Sequence, residues 1–113
     1  MRSVVFSPAA RAELIEARDW YAARDPELAD RFIAEVGNVV ARMAAAPQRF
    51  PVVHRDVRRA RCRRFPYALF FRVVDGTVQV IACFHGKRDP RPMAAARLGA
   101  ISGRQTSTAL QWR

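Results

Sequence analysis

The chain has 113 residues, half of them hydrophobic, and a formal net charge of +10 at pH 7. That length is one domain's worth and can bury a modest core without staples. Cys62 and Cys83 fit neither a disulfide framework nor a metal-site spacing, and His54 and His85 lie too far apart for a helical ligand pair, so no metal and no cofactor is expected.

No apolar run approaches the roughly 20 residues that cross a bilayer, and Met1 to Phe6 meets Pro8 before a signal-peptide apolar region can form. A cytoplasmic protein without a membrane partner is the expectation. In chain order, Arg2 to Phe6 is short and β-branched and reads as a strand ended at Ser7-Pro8, a helix cap followed by Pro at the first helical position. The helix from Pro8 carries an apolar stripe of Ala10, Leu14, Ala17 and Tyr21. Asp25-Pro26 repeats the cap, and Leu28, Phe32, Val36, Val39 and Met43 stripe a second helix that stops at Pro47. Joined through Ala23 to Asp25, the two make an antiparallel hairpin.

Beyond a loop with Pro47, Phe50 and Pro51 the period becomes two. Val57 to Arg64 alternates, with Val57, Arg59, Arg61 and Arg63 on one side and Ala60 and Cys62 pointing inward on the other. Tyr67 to Val74 follows, with Tyr67, Leu69, Phe71 and Val73 on one face and Arg72 on the opposite one. Asp75-Gly76 then signals a hairpin into Thr77 to His85. Strict alternation places Val78, Val80, Ala82 and Phe84 on one face and Ile81, Cys83 and His85 on the other, so Cys62 and Cys83 are expected on opposite sides. A short helix from Pro92 to Leu98 closes a single domain of residues 1–98, and residues 99–113 read as a tail.

The expected fold class is α+β: an N-terminal strand, an antiparallel helix hairpin, then a three-stranded antiparallel meander and a short C-terminal helix. Because the hairpin returns the chain, the first strand is expected to run antiparallel to the strand after the helices. The sheet face away from the hairpin would carry Arg59, Arg61, Arg63 and Arg72 among Ala68, Phe70 and Ile81, a mixture that a monomer does not normally leave bare. The charge is uneven as well. Met1 to Val53 holds seven arginines and seven acids, whereas His54 to Arg91 holds nine arginines and Lys87 against Asp56, Asp75 and Asp89. Such a field suits a polyanion, whether nucleic acid, an acidic protein or an anionic surface.

Arg63-Arg64-Phe65-Pro66-Tyr67-Ala68-Leu69-Phe70-Phe71-Arg72-Val73-Val74-Asp75 and Val80-Ile81-Ala82-Cys83-Phe84-His85-Gly86-Lys87-Arg88-Asp89-Pro90 carry a resemblance, together with Asp19-Trp20-Tyr21, Arg31-Phe32 and Phe50-Pro51. In order and spacing they resemble the RelE/ParE superfamily of type II toxin-antitoxin toxins over roughly Val4 to Leu98. The resemblance implies a toxin silenced by a cognate antitoxin, whose acidic segment wraps the hairpin and the sheet. The target would be DNA gyrase in the ParE-like branch, or mRNA on the ribosome in the RelE-like branch.

Metal-independent RNA cleavage needs a base, an acid and cations for the phosphorane charge. Arg59 and Arg61 match the basic strand positions of the nuclease branch, and Arg88 matches its Arg after the last strand. Ala68 stands where an Arg would follow Tyr67, and Met93 to Ala95 holds no phenol. That favours the gyrase inhibitor. The alternatives are a ribosome-dependent endoribonuclease using Arg59, Arg61, His85 and Arg88, and a non-toxic basic nucleic-acid-binding module. Arg59, Arg61, Arg63, Arg72 and Arg88 are the expected target contacts, and Phe70, Ile81 and Ala68 the expected antitoxin contacts.

Overall fold

The computed structural model describes residues 2–101 and 110–111. Its elements are β1 (Val4–Phe6), α1 (Pro8–Ala22), α2 (Pro26–Ala45), β2 (Val52–His54), β3 (Val57–Arg61), β4 (Tyr67–Val74), β5 (Thr77–His85), α3 (Arg91–Ile101) and β6 (Leu110–Gln111). They form the expected α+β layout around one sheet of order β2-β3-β4-β5-β1-β6. Both predicted caps are made. Ser7 Oγ accepts the Ala10 N–H at 3.1 Å, and Asp25 Oδ1 accepts that of Glu27 at 3.0 Å.

The α1 stripe of Ala10, Leu14, Ala17 and Tyr21 is buried, as are Phe32, Val36, Val39 and Met43 of α2. These side chains meet Val4, Phe6, Ala60, Leu69, Phe71, Val78 and Val80 on one face of the sheet. At the β4-β5 turn Asp75 and Gly76 both take positive φ, 50° and 77°, the backbone that an Asp-Gly hairpin turn demands.

The structure corrects the sequence reading in four places. Val52–His54, read as loop, is a strand hairpinned onto β3 through Arg55 at φ 52°. That extra reversal changes a direction. β1 pairs parallel with β5, which is antiparallel to β4, which is antiparallel to β3, so β1 and β3 run the same way and β2 takes the antiparallel course expected of the strand after the helices.

The second correction is a β-bulge. The β4-β5 register passes from Phe70 opposite Ala82 to Phe71 opposite Val80, leaving Ile81 as the extra residue. Beyond it the alternation slips by one. Ala82 and Phe84 turn away from the hairpin, and Cys83 joins Cys62 in the hairpin-side core rather than facing the opposite side.

Third, β3 stops at Arg61, so Arg63 leaves the sheet face and sits in the bend before β4. Fourth, the side chains expected to contact the antitoxin are already covered by the chain itself. Met93 and Ala94 of α3 close over Val57, Ala68, Phe70, Ile81, Ala82 and Phe84 as a second core. The helix runs past Leu98 to Ile101, and Leu110–Gln111 pairs antiparallel with β1. The remainder of the expected tail lies outside the described residues.

One side-chain pair fastens α3. β1 accompanies β5 only as far as Val80, so among the described residues no strand lies beside the Ile81 carbonyl and the Cys83 N–H. Arg97 Nη1 donates to the Ile81 carbonyl at 2.8 Å, and Glu13 Oε1 accepts the Cys83 N–H at 3.0 Å. Arg97 and Glu13 also meet through two bonds of 2.9 and 3.0 Å, completing the edge as a strand would.

Candidate functional site

The basic residues singled out in the sequence fall into three settings. Arg72 is committed inside the protein: its Nε and Nη2 donate to Asp56 Oδ2 at 3.1 and 2.8 Å, fixing the β2-β3 turn against β4. Arg58 is likewise spent on the Phe50 carbonyl at 2.6 Å. Arg59 is half-buried, and its Nε has no hydrogen-bond partner among the described residues.

The second setting is the end of the sheet where β3 and β5 stop. Alternation keeps Arg61 on the α3 side of β3, and the Pro66 turn brings the chain back so that Tyr67 pairs with His85. Gly86 then donates its N–H to the Pro66 carbonyl at 2.7 Å. Between these segments lies a depression of about 90 Å³ whose lining includes Arg61, Tyr67, His85, Gly86 and Lys87. His85 Nδ1 accepts the Lys87 N–H at 3.2 Å, which leaves Nε2 as the protonated nitrogen.

Arg88 is nearby in sequence but differently engaged, its guanidinium carbon 4.4 Å above the centre of the Phe84 ring. Asp89 is held by Arg91 through Nε and Nη2 at 3.0 and 2.9 Å, and that hydrogen bonding pulls the Asp89 carboxyl down to about 2.

The third setting is a groove of about 510 Å³ between α2 and the β3-β4 bend, whose lining includes Leu28, Arg31, Glu35, Arg63, Arg64 and Phe65. Of its lining, Phe65 belongs to an aromatic cluster. Phe65 meets the rings of Tyr21 and Phe32 at 5.1 and 5.2 Å, locking the bend onto both helices. Glu35 Oε2 accepts the Arg63 N–H at 2.7 Å, which holds the bend from the α2 side and leaves the Arg63 side chain exposed.

Of the expected contacts, then, Arg61 and His85 share a depression, Arg63 belongs to the groove, Arg72 is paired internally, and Arg59 and Arg88 stand apart from both. Ala68, Phe70 and Ile81 are fully buried beneath α3, so a partner meets them only with that helix lifted. The sequence reading passed over Lys87, the chain's single lysine, and over Arg31 and Arg64, which gain their setting only when the bend folds against α2. Among the described residues no His, Cys, Asp or Glu group is arranged to hold a metal ion, and no helix is long and apolar enough to cross a membrane.

Known proteins resemble this chain in sequence and fold. Residues 4–90 match the family described as the ParE toxin of the type II toxin-antitoxin system, parDE. Toxin ParE2 from two strains of Mycobacterium tuberculosis is 31% identical over 93 residues, covering 81% of this chain and 85% of the relative. A chain from the chromosomal ParDE system of P. aeruginosa superposes with a TM-score of 0.66 over 75% of this chain and 96% of its own, and its 22% identity speaks to the fold. A family match that runs from β1 through the β5 exit, with a relative of similar length at 31% identity, places the chain in the ParE toxin family of type II toxin-antitoxin systems.

Proposed function

We propose that this chain arrests growth by inhibiting DNA gyrase, and that a cognate antitoxin silences it by laying an acidic segment into the groove between α2 and the β3-β4 bend. The observation that carries the target is the state of the nuclease candidates. Ala68 is sealed in the α3-side core, Arg59 is half-buried, Arg88 lies on the Phe84 ring, and Met93 to Ala95 offers no phenol. Of the four nuclease candidates only Arg61 and His85 come together, and Arg59 and Arg88, the other two cations that reading needs at the phosphorane, stand outside their depression.

The groove supports the partner reading. Leu28 and Phe65 give it apolar anchors, and Arg31, Arg63 and Arg64 outnumber Glu35, so an acidic amphipathic segment complements it. The test is a supercoiling assay with purified toxin, run beside primer extension on translated mRNA. Loss of supercoiling with intact message is expected, and restoration on adding the antitoxin supports its silencing role. Codon-periodic message cleavage with supercoiling untouched would reverse the target.

A further inference from the structure

We infer that the depression at the end of the sheet, framed by Arg61, His85 and Lys87, is a binding site for a single backbone phosphate of nucleic acid. The inference does not depend on the protein target. Its first support is chemical. The Arg61 guanidinium and the Lys87 ammonium are donors only, and the Lys87 N–H on His85 Nδ1 makes His85 Nε2 a donor too.

Among the described residues no acid lines the depression. Tyr67 and Cys62, which do, remain neutral. Burial pushes the Tyr67 hydroxyl up from its ordinary value, and burial with the Glu35 charge pushes the Cys62 thiol up to about 12. Asp89, the nearest acid along the chain, is spent on Arg91.

The second support is shape. The depression, at about 90 Å³, is far smaller than the 510 Å³ groove beside α2 and has room for a tetrahedral oxyanion. Donors reaching it from β3, the β5 end and the following turn suit a phosphate, which offers oxygens in several directions, better than a planar carboxylate, which takes a single guanidinium fork. Gly86 keeps the space open. A Cβ there would stand 3.6 Å from the Pro66 carbonyl, 3.7 Å from Ala68 Cβ and 4.0 Å from Arg61 Nη1, so an added methyl is tolerated but takes room beside the arginine.

A site with these properties positions a nucleic-acid strand without reading its sequence. The experiment is a ¹H–¹⁵N titration of the full chain with inorganic phosphate and with a dT hexanucleotide, made without gyrase or antitoxin. Failure of the pocket is thereby separated from failure of the target reading. Shifts are expected at the His85, Gly86 and Lys87 amides and the His85 ring.

Arg61→Gln should weaken the hexanucleotide about tenfold, and Lys87→Gln should lower the slope of log affinity against log salt by about one. Gly86→Ala, which alters no charge, should weaken phosphate while the rest of the spectrum is retained. An RNA hexamer of uridine should bind within a few-fold of the DNA, since only the phosphate is held. Shifts confined to Arg31, Arg63 and Arg64 would overturn the assignment. So would a hexaglutamate peptide that matches or exceeds the oligonucleotide at His85 and Lys87, because the site would then belong to carboxylates.

Discussion

Cys62 and Cys83 are buried thiols in the hairpin-side core, and burial raises both above their ordinary value of 9.0, Cys62 to about 12. A folded-state value above the unfolded one means that the folded chain holds its protons longer. The stability this represents is present below pH 9, and is lost as rising pH ionises the thiols of unfolded chains first. Urea unfolding should therefore show stability constant from pH 7 to 8.5 and falling between pH 9 and 12. Replacing both cysteines with alanine should flatten that limb up to about pH 10, above which the Tyr21 and Tyr67 hydroxyls, also raised by burial, add a loss of their own. A disulfide reagent at pH 8 should label them only at the rate of chain opening, and prompt labelling of the native protein would refute the placement.

The Glu13-Arg97 pair is a residue-scale device with an element-scale effect, since it completes the β5 edge at the bulge and ties α3 to α1. Each side chain is about a quarter exposed, so screening is partial and the backbone partners carry much of its value. Glu13→Ala leaves the Cys83 N–H without its acceptor and should cost about 1–3 kcal/mol in denaturant unfolding. Glu13→Gln, which keeps that acceptor, should cost less. Amide exchange at Cys83 and through α3 should quicken in Glu13→Ala, and an unchanged exchange pattern would show that the pair does not fasten the helix.

At the scale of elements, α1 and α2 were legible because each has a cap, a Pro and one unbroken apolar stripe, and the β4-β5 hairpin because Asp-Gly has one good use. β2 was not, since three residues after a proline are too few to show a period. The bulge was hidden for a different reason: from Val80 to Phe84 every residue is apolar and buried, so the strand looks the same whichever face each residue takes. The site was legible as charge clustering and little further. Which arginines are free depends on partners distant in sequence, Asp56 sixteen residues from Arg72 and Glu13 eighty-four from Arg97, and periodicity carries no trace of such pairs.

α3 makes a stability prediction of its own. Phe70 sits under it, fully buried, with its ring 4.6 Å from that of Phe84. Phe70→Ala should cost about 3–5 kcal/mol of folding stability as a cavity mutant. If the variant instead melts with the parent protein, α3 does not seal this face in solution.

Across the whole molecule the two proposed surfaces would divide the labour of a positively charged chain. Charge raises the rate at which an acidic partner arrives, and apolar burial sets how long it stays. The groove beside α2 holds both kinds of residue, so the two contributions separate by mutation. Changing Arg31 and Arg64 together to glutamine should slow association of the cognate antitoxin at low salt, with a much smaller effect near physiological ionic strength, where screening acts over about 8 Å. Changing the half-buried Leu28 to alanine should leave association alone and raise the dissociation rate at every salt concentration. The Arg61 and Lys87 variants of the sheet end should change neither rate beyond the loss of general charge. Stopped-flow association and dissociation across a salt series measure all of these on one protein. A Leu28 variant that dissociates like the parent, with sheet-end variants that bind poorly at high salt, would move the antitoxin from the α2 groove to the sheet end.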